Sequence, residues 1–175
     1  MNNLSFHITD IMANSIRAKA SEIGLFIEER DLRITIRIAD NGLGMDAGTI
    51  ARVTNPFYTT RTTRKVGLGI PFLIQNAEQT GGAVSITSQP GKGTVVTASF
   101  CSNHIDCPPW GDLPGTVAML ITGNPDINIC FEYQAARTVF SISTSEIKEI
   151  LDGIPLSYPK VMLLVKEMIK ENNRP

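Results

Sequence analysis

Between residues 4 and 20 the apolar positions Leu4, Ile8, Ile11, Met12 and Ile16 recur at three- and four-residue intervals, the period of a helix that buries one face. His7, Asp10, Asn14 and Arg17 fall on a second stripe of the same helix, which taken alone reads most simply as a solvated polar face. The period then changes to two. Ile23, Leu25 and Ile27 alternate with Gly24 and Phe26, and Leu32, Ile34, Ile36 and Ile38 alternate with Arg33, Thr35 and Arg37. Two strands joined through Glu29-Arg30-Asp31 are predicted, paired antiparallel with one wet face.

Asp46 is placed to start a short helix, and Gly67-Leu68-Gly69 leads into a longer one with Ile70, Leu73, Ile74 and Ala77 inward, stopped by Thr80-Gly81-Gly82. Pro71 is tolerated there because the first turn has no internal donor to lose. Residues 81–88 and the strand from Thr94 to Phe100 flank Gln89-Pro90-Gly91-Lys92-Gly93, a hairpin turn by composition. Beyond residue 100, Asp112 to Thr122 reads as a helix interrupted early by Pro114, and Ile127 to Tyr133 with Thr138 to Ser143 as a hairpin. Thr144 or Ser145 is expected to cap a short helix. Pro159 opens a last one, with Val161, Leu164, Val165 and Met168 inward.

Composition narrows the setting. A chain of 175 residues with 42% hydrophobic content can bury a substantial core. Its net charge of -1 gives no general pull toward nucleic acid or an anionic membrane. No apolar run approaches the roughly 18 residues of a membrane span. Asp10 and Asn14 break the layout of a signal peptide, so a soluble cytoplasmic protein is expected. Cys101, Cys107 and Cys130 are an odd count that favours reduced thiols. Cys101, His104 and Cys107 could be read as soft metal ligands, but a structural zinc site wants a fourth ligand and tighter cysteine spacing.

The chemistry concentrates in three segments in fixed order: Asp10-Ile11-Met12-Ala13-Asn14, Asp40-Asn41-Gly42-Leu43-Gly44 and Gly67-Leu68-Gly69. Asp40 emerges at the end of a strand, where Gly42 and Gly44 let the backbone approach a flat group closely. A dinucleotide fold needs a different glycine spacing, and a calcium loop needs more oxygen ligands. Between the second and third segments, Asn55 to Lys65 is threonine-rich and carries Arg61, Arg64 and Lys65, cations suited to covering phosphates. Glycines at a helix N-terminus expose N–H groups to an anion.

Together these segments resemble the ATP site of the GHKL superfamily, and their wording looks most like the ATP-binding domain of histidine kinases. The resemblance covers about residues 4 to 100. It implies an α/β sandwich of the Bergerat type, with helices on one face of a mixed, mostly antiparallel sheet. It divides the chain into residues 1–100, the ATP-binding domain, and 101–175, a small α/β accessory module of a helix, a hairpin and two helices.

By the same resemblance, Asp40 accepts a hydrogen bond from the adenine amine and Thr94 supports it through a water. Asn14 binds magnesium against the ATP phosphates. Gly42, Gly44, Gly67, Leu68 and Gly69 line the nucleotide, and Arg61, Arg64 and Lys65 belong to the lid. Asp10 stands one turn before Asn14, where hydrolytic members carry a glutamate that activates water, so it is the candidate general base with a shorter reach. Lys65 occupies the place of the first glycine in the family's G-x-G-x-G, a departure that bears on the lid.

Histidine kinases carry their phosphoacceptor on a helical hairpin ahead of the ATP domain, and neither His7 nor His104 lies in such a context. A separate kinase subunit or an ATP-gated switch is therefore expected, with a slow ATPase or a nucleotide-independent interaction module as alternatives. The partner would be a protein, whether kinase substrate, sensor or response regulator, and homodimerisation is open.

Overall fold

The computed structural model describes residues 3–55 and 68–172. The chain runs α1 (Leu4–Arg17), β1 (Glu22–Arg30), β2 (Arg33–Asp40), α2 (Ala47–Val53), α3 (Gly69–Gln79), β3 (Ala83–Gln89), β4 (Gly93–Cys101), α4 (Leu113–Gly123), β5 (Asn128–Ala135), β6 (Thr138–Ser143), α5 (Thr144–Leu151) and α6 (Pro159–Asn172). Six strands form one sheet in the order β3-β4-β2-β1-β5-β6. Every pairing is antiparallel except β1 with β5, which is parallel from Glu22↔Asn128 to Glu29↔Ala135. The mixed, largely antiparallel α/β sandwich is thus the observed architecture.

The two-residue period buries alternate positions. Ile23, Leu25 and Ile27 of β1 share a core with Ile34, Ile36 and Ile38 of β2, Val96, Ala98 and Phe100 of β4, and Ile129, Phe131 and Tyr133 of β5. The helices close that core with Leu4, Ile8, Ile11 and Met12 from α1, Leu73 and Ala77 from α3, Val117, Ala118 and Ile121 from α4, and Val161, Val165 and Ile169 from α6. Residues after 100 therefore extend the sheet and core built by those before it. No described helix is long and apolar enough to cross a membrane.

Several local expectations are corrected. α1 ends at Arg17, with Lys19 in the left-handed region at φ 58°. β1 runs on to Arg30, and the turn uses Asp31 and Leu32, both at positive φ (50° and 60°). Pro114 lies in the first turn of α4, where it starts the helix instead of interrupting it. Ser143 caps α5 by accepting from the Glu146 N–H, because its hydroxyl, at the last strand residue, precedes the first helical turn. In α6 the buried stripe is Val161, Val165 and Ile169. Leu164 is 50% exposed there, and Met168 only packs against the margin of the core.

Two straps fix α1. Asn3 caps it, accepting from the Phe6 N–H at 2.7 Å. The carbonyls of Pro109 and Trp110 take the N–H groups of Leu4 and Ser5 at 2.9 and 3.0 Å, satisfying two donors that every helix start leaves open.

Candidate functional site

α1 and β2 deliver the central residues because β2 ends where α1 passes over it. Asp40, half-buried at the last position of β2, pairs in register with Thr94 of β4. Its Oδ1 accepts from the Gly42 N–H at 2.9 Å and the Thr94 N–H at 3.2 Å. Its Oδ2 accepts from the Ser15 hydroxyl at 2.6 Å. Ser15 is itself buried on α1, next in sequence to Asn14.

A carboxylate offers about four acceptor sites, and three are occupied, two of them on Oδ1. The remaining capacity lies on Oδ2. A further hydrogen-bond donor would be accepted there.

The segment after Asp40 is clamped on both sides. Leu43 donates to the Ala18 carbonyl at 2.9 Å, and its own carbonyl accepts from Gly91 at 2.7 Å. Met45 N–H donates to Ser88 Oγ at 2.8 Å. Asn41 turns away from the site, its Oδ1 accepting from the N–H groups of Ser21 and Glu22 at 2.9 and 3.0 Å.

Gly44 and Gly93 make this closeness feasible. Each has positive φ, 66° and 91°. A Cβ on Gly44 would stand 1.9 Å from the Gln89 carbonyl oxygen, and one on Gly93 would stand 1.8 Å from that of Asp40. Thr94 reaches Asp40 directly through its main chain, while its hydroxyl pairs with Ser88 Oγ at 2.8 Å.

Asn14 and Asp10 lie half-buried on α1. Asn14 Oδ1 accepts from the Arg17 guanidinium. An amide oxygen suits a hard cation such as magnesium, and a cation bound at Asn14 has to exchange with that guanidinium. Asp10 faces the start of α3, with its Oδ2 2.9 Å from where a Cβ on Gly69 would stand. Burial pushes the Asp10 carboxyl above its ordinary 3.8, opposed in part by the Arg17 charge. A raised carboxyl is the direction a proton acceptor working near neutrality needs.

α3 begins at Gly69 after Leu68, with no side-chain hydrogen bond capping its N-terminus. α1 and α3 thus bring Asp10 beside Gly69, with Asn14 one turn further along α1. Gly67, Arg61, Arg64 and Lys65 lie outside the described residues.

Sequence reasoning did not single out Ser15 or Asn76, and it put His7 on a stripe read as a solvated face, whereas the histidine is buried between α1 and α3. Ser15 lies on the buried face of α1, where a lone serine carries no signal of its own. His7, 2% exposed, hydrogen-bonds through Nε2 with the Asn76 amide nitrogen at 2.8 Å, joining α1 to α3. Its Nδ1 has no partner, and burial lowers its pKa below the ordinary 6.5. His104 is an exposed residue 3.7 Å from Asp106. The three cysteines are free thiols, and among the described residues no group of three acidic, histidine or cysteine side chains is placed to hold a metal.

Comparison with known proteins converges on the same part of the chain. The profile of the histidine kinase-, DNA gyrase B-, and HSP90-like ATPase family matches residues 3–103. Sensor protein kinase FleS of Pseudomonas aeruginosa is 35% identical over 93 residues, 51% of this chain and 23% of that protein. Sporulation kinase E of Bacillus subtilis is 31% identical over 97 residues, 54% of this chain and 13% of that one. Sensor histidine kinase YxdK of Bacillus subtilis is 29% identical over 106 residues, 55% of this chain and 32% of its own. The chain therefore matches less than a third of each of these relatives. Among solved structures, the N-terminal domain of a DNA repair protein superposes with a TM-score of 0.56 at 16% identity, over 82% of this chain and 52% of that one, a likeness of fold.

Proposed function

The chain belongs to the histidine kinase-, DNA gyrase B-, and HSP90-like ATPase family, and from that premise we propose that it binds ATP with magnesium and acts in signalling. Its use of ATP is as a kinase subunit that passes the γ-phosphate to a partner protein, or as an ATP-gated switch that changes its affinity for that partner. The partner is a kinase substrate, a sensor or a response regulator, met in the cytoplasm. Residues 1–100 bind nucleotide, and residues 101–175 serve as the accessory part that relays its state.

The observation that carries this reading is the Asp40 carboxylate, held by Ser15, Gly42 and Thr94 with one acceptor direction left on Oδ2. Asp40 reads adenine, because a carboxylate accepts from the amine of adenine and repels the carbonyl of guanine. Asn14 holds magnesium, which neutralises phosphate charge when bound. Gly42, Gly44, Leu68 and Gly69 line the nucleotide; Gly67 and Arg61, Arg64 and Lys65, the candidate cations for covering the phosphates, lie outside the described residues.

Asp10 is the candidate base that orients and deprotonates a water. Asp is about one methylene shorter than the glutamate of hydrolytic members, so hydrolysis by the isolated protein is slow. His7 is buried against Asn76 and has no access to a phosphoryl donor, so the acceptor is another residue.

Incubation with ATP labelled on the γ-phosphate, alone and with candidate partner proteins, tests the reading. Label on a partner establishes the kinase, and partner affinity that changes with ATP but without label establishes the switch. Failure to bind ATP at all refutes both.

A further inference from the structure

α6 buries one stripe and leaves an unusual one outside. Val161, Val165 and Ile169 face the core, yet Leu163 and Leu164 are 60% and 50% exposed. On a helical projection these two leucines flank Lys160, Glu167 and Glu171, and all five occupy one outward face. Ile154 and Tyr158, in the turn that leads into the helix, are also about half exposed (52% and 50%). A helix apolar on two sides is expected to be covered on both.

The charges on that face select the occupant. Lys160 stands in the first turn of α6, where the helix dipole disfavours a cation, no acid accompanies it in that turn, and no acidic group pairs with it among the described residues. Lys166 is engaged with Asp112 at 2.7 Å. Glu167 has only a long contact of 3.7 Å with Lys170, both side chains more than half exposed, an arrangement that contributes little.

We propose that α6 packs antiparallel against α6 of a second copy of this chain, about a two-fold axis passing between Leu163 and Leu164. In that register Leu163 of each copy meets Leu164 of the other, and Lys160 meets Glu167 at both ends. The surface is complementary to itself, as an isologous contact requires. No such match arises in the parallel arrangement, where Lys160 faces Lys160 and Glu167 faces Glu167. The pairing involves none of the residues around Asp40, so it holds whether or not that site takes ATP.

Sedimentation equilibrium or light scattering on the whole chain tests this. A contact made mainly by one helix is at the small end of specific interfaces, so the dimer should appear progressively between about 1 µM and about 1 mM. The expected mass at the upper end is twice the 19.1 kDa of the chain. Lys160→Glu and Glu167→Lys should each shift the midpoint at least tenfold toward monomer. The double variant carrying both changes should restore the wild-type midpoint, since it re-creates each cross-pair with reversed sign.

Both positions are exposed, so unaltered circular dichroism is expected, and Leu163→Asp supplies a second, apolar test with the same expected loss. A wild-type chain monomeric throughout this range overturns the proposal. So does a dimer indifferent to these substitutions, or a double variant as monomeric as the singles.

Discussion

Asp40→Asn exchanges an oxygen for an NH2 group in an otherwise equal shape, and the hydrogen bonds dictate where that group must go. Oδ1 receives two main-chain N–H donors, from Gly42 at 2.9 Å and Thr94 at 3.2 Å. An NH2 facing both would leave all of them unpaired, so the amide oxygen stays there and the NH2 replaces Oδ2. Ser15, 2.6 Å away, can rotate its hydroxyl to accept instead of donate, and the fold keeps its bonds. An incoming adenine amine now meets a donor. The loss is that of one charge-assisted hydrogen bond, about 1.5 to 3 kcal/mol, or roughly ten- to hundredfold in ATP affinity. GTP should lose less, because a guanine carbonyl suits an NH2 group, so the preference for ATP narrows from both sides. Calorimetry with each nucleotide in magnesium measures this, and a melting curve provides the control, with Tm expected to fall by no more than about 4 °C. Equal affinity of the wild type for ATP and GTP, or an Asp40→Asn variant that binds ATP as before, refutes the adenine-reading role. A collapse of Tm refutes the deduced amide orientation.

Asn14→Ala should weaken triphosphate binding in magnesium while adenosine binding and circular dichroism stay unchanged; equal loss of adenosine would place Asn14 at the base instead. The purified protein should hydrolyse ATP well below about 1 per second, and Asp10→Asn should remove what turnover exists without changing ATP affinity, as a phosphate-release assay can determine. His7 is held neutral in the fold, its pKa lowered by burial from 6.5, so the unfolded chain binds more protons as pH falls. Stability conferred by the neutral ring is full above about pH 6.5 and declines below it until the folded-state pKa is reached. Melting temperatures followed between about pH 5 and pH 8 should show that decline in the wild type and a flatter profile in His7→Gln, which keeps a partner for Asn76 but does not titrate.

Periodicity made much of the fold legible. The alternation of isoleucines in β1 and β2 and the helical spacing of Leu4, Ile8, Ile11 and Met12 each survive as buried faces, because side-chain direction follows directly from the backbone repeat. Turn chemistry was read less well: Leu32 at φ 60° is a residue that no propensity argument puts in the left-handed region. The outward Leu164 shows another limit. Apolar spacing identifies a helix, but it cannot say which of two apolar stripes meets the core. At the candidate site, the motif glycines and Asp40 stood out because close backbone approach restricts residue choice. Ser15 and the His7–Asn76 bond did not, since a serine on a buried stripe and a long-range pair 69 residues apart leave no local signature. The same holds for the parallel pairing of β1 with β5, a contact that only the folded topology reveals.

That pairing has a consequence for how the chain reaches its native state. β1 is an interior strand whose second neighbour, β5, is supplied from about a hundred residues further on, through Glu22↔Asn128 to Glu29↔Ala135. Until β5 is synthesised and docked, one side of β1 presents a row of unpaired main-chain groups, beside isoleucines and a leucine that still lack Phe131 and Tyr133 as neighbours. An open edge of this kind is a template for a foreign strand, and a contact so distant in sequence forms late. Residues 3–103, the part matched by the family profile, should therefore be a poor autonomous unit when produced alone, prone to aggregate through β1. Full-length chain made under the same conditions should stay dispersed, and a comparison of the two by soluble yield and light scattering decides the point.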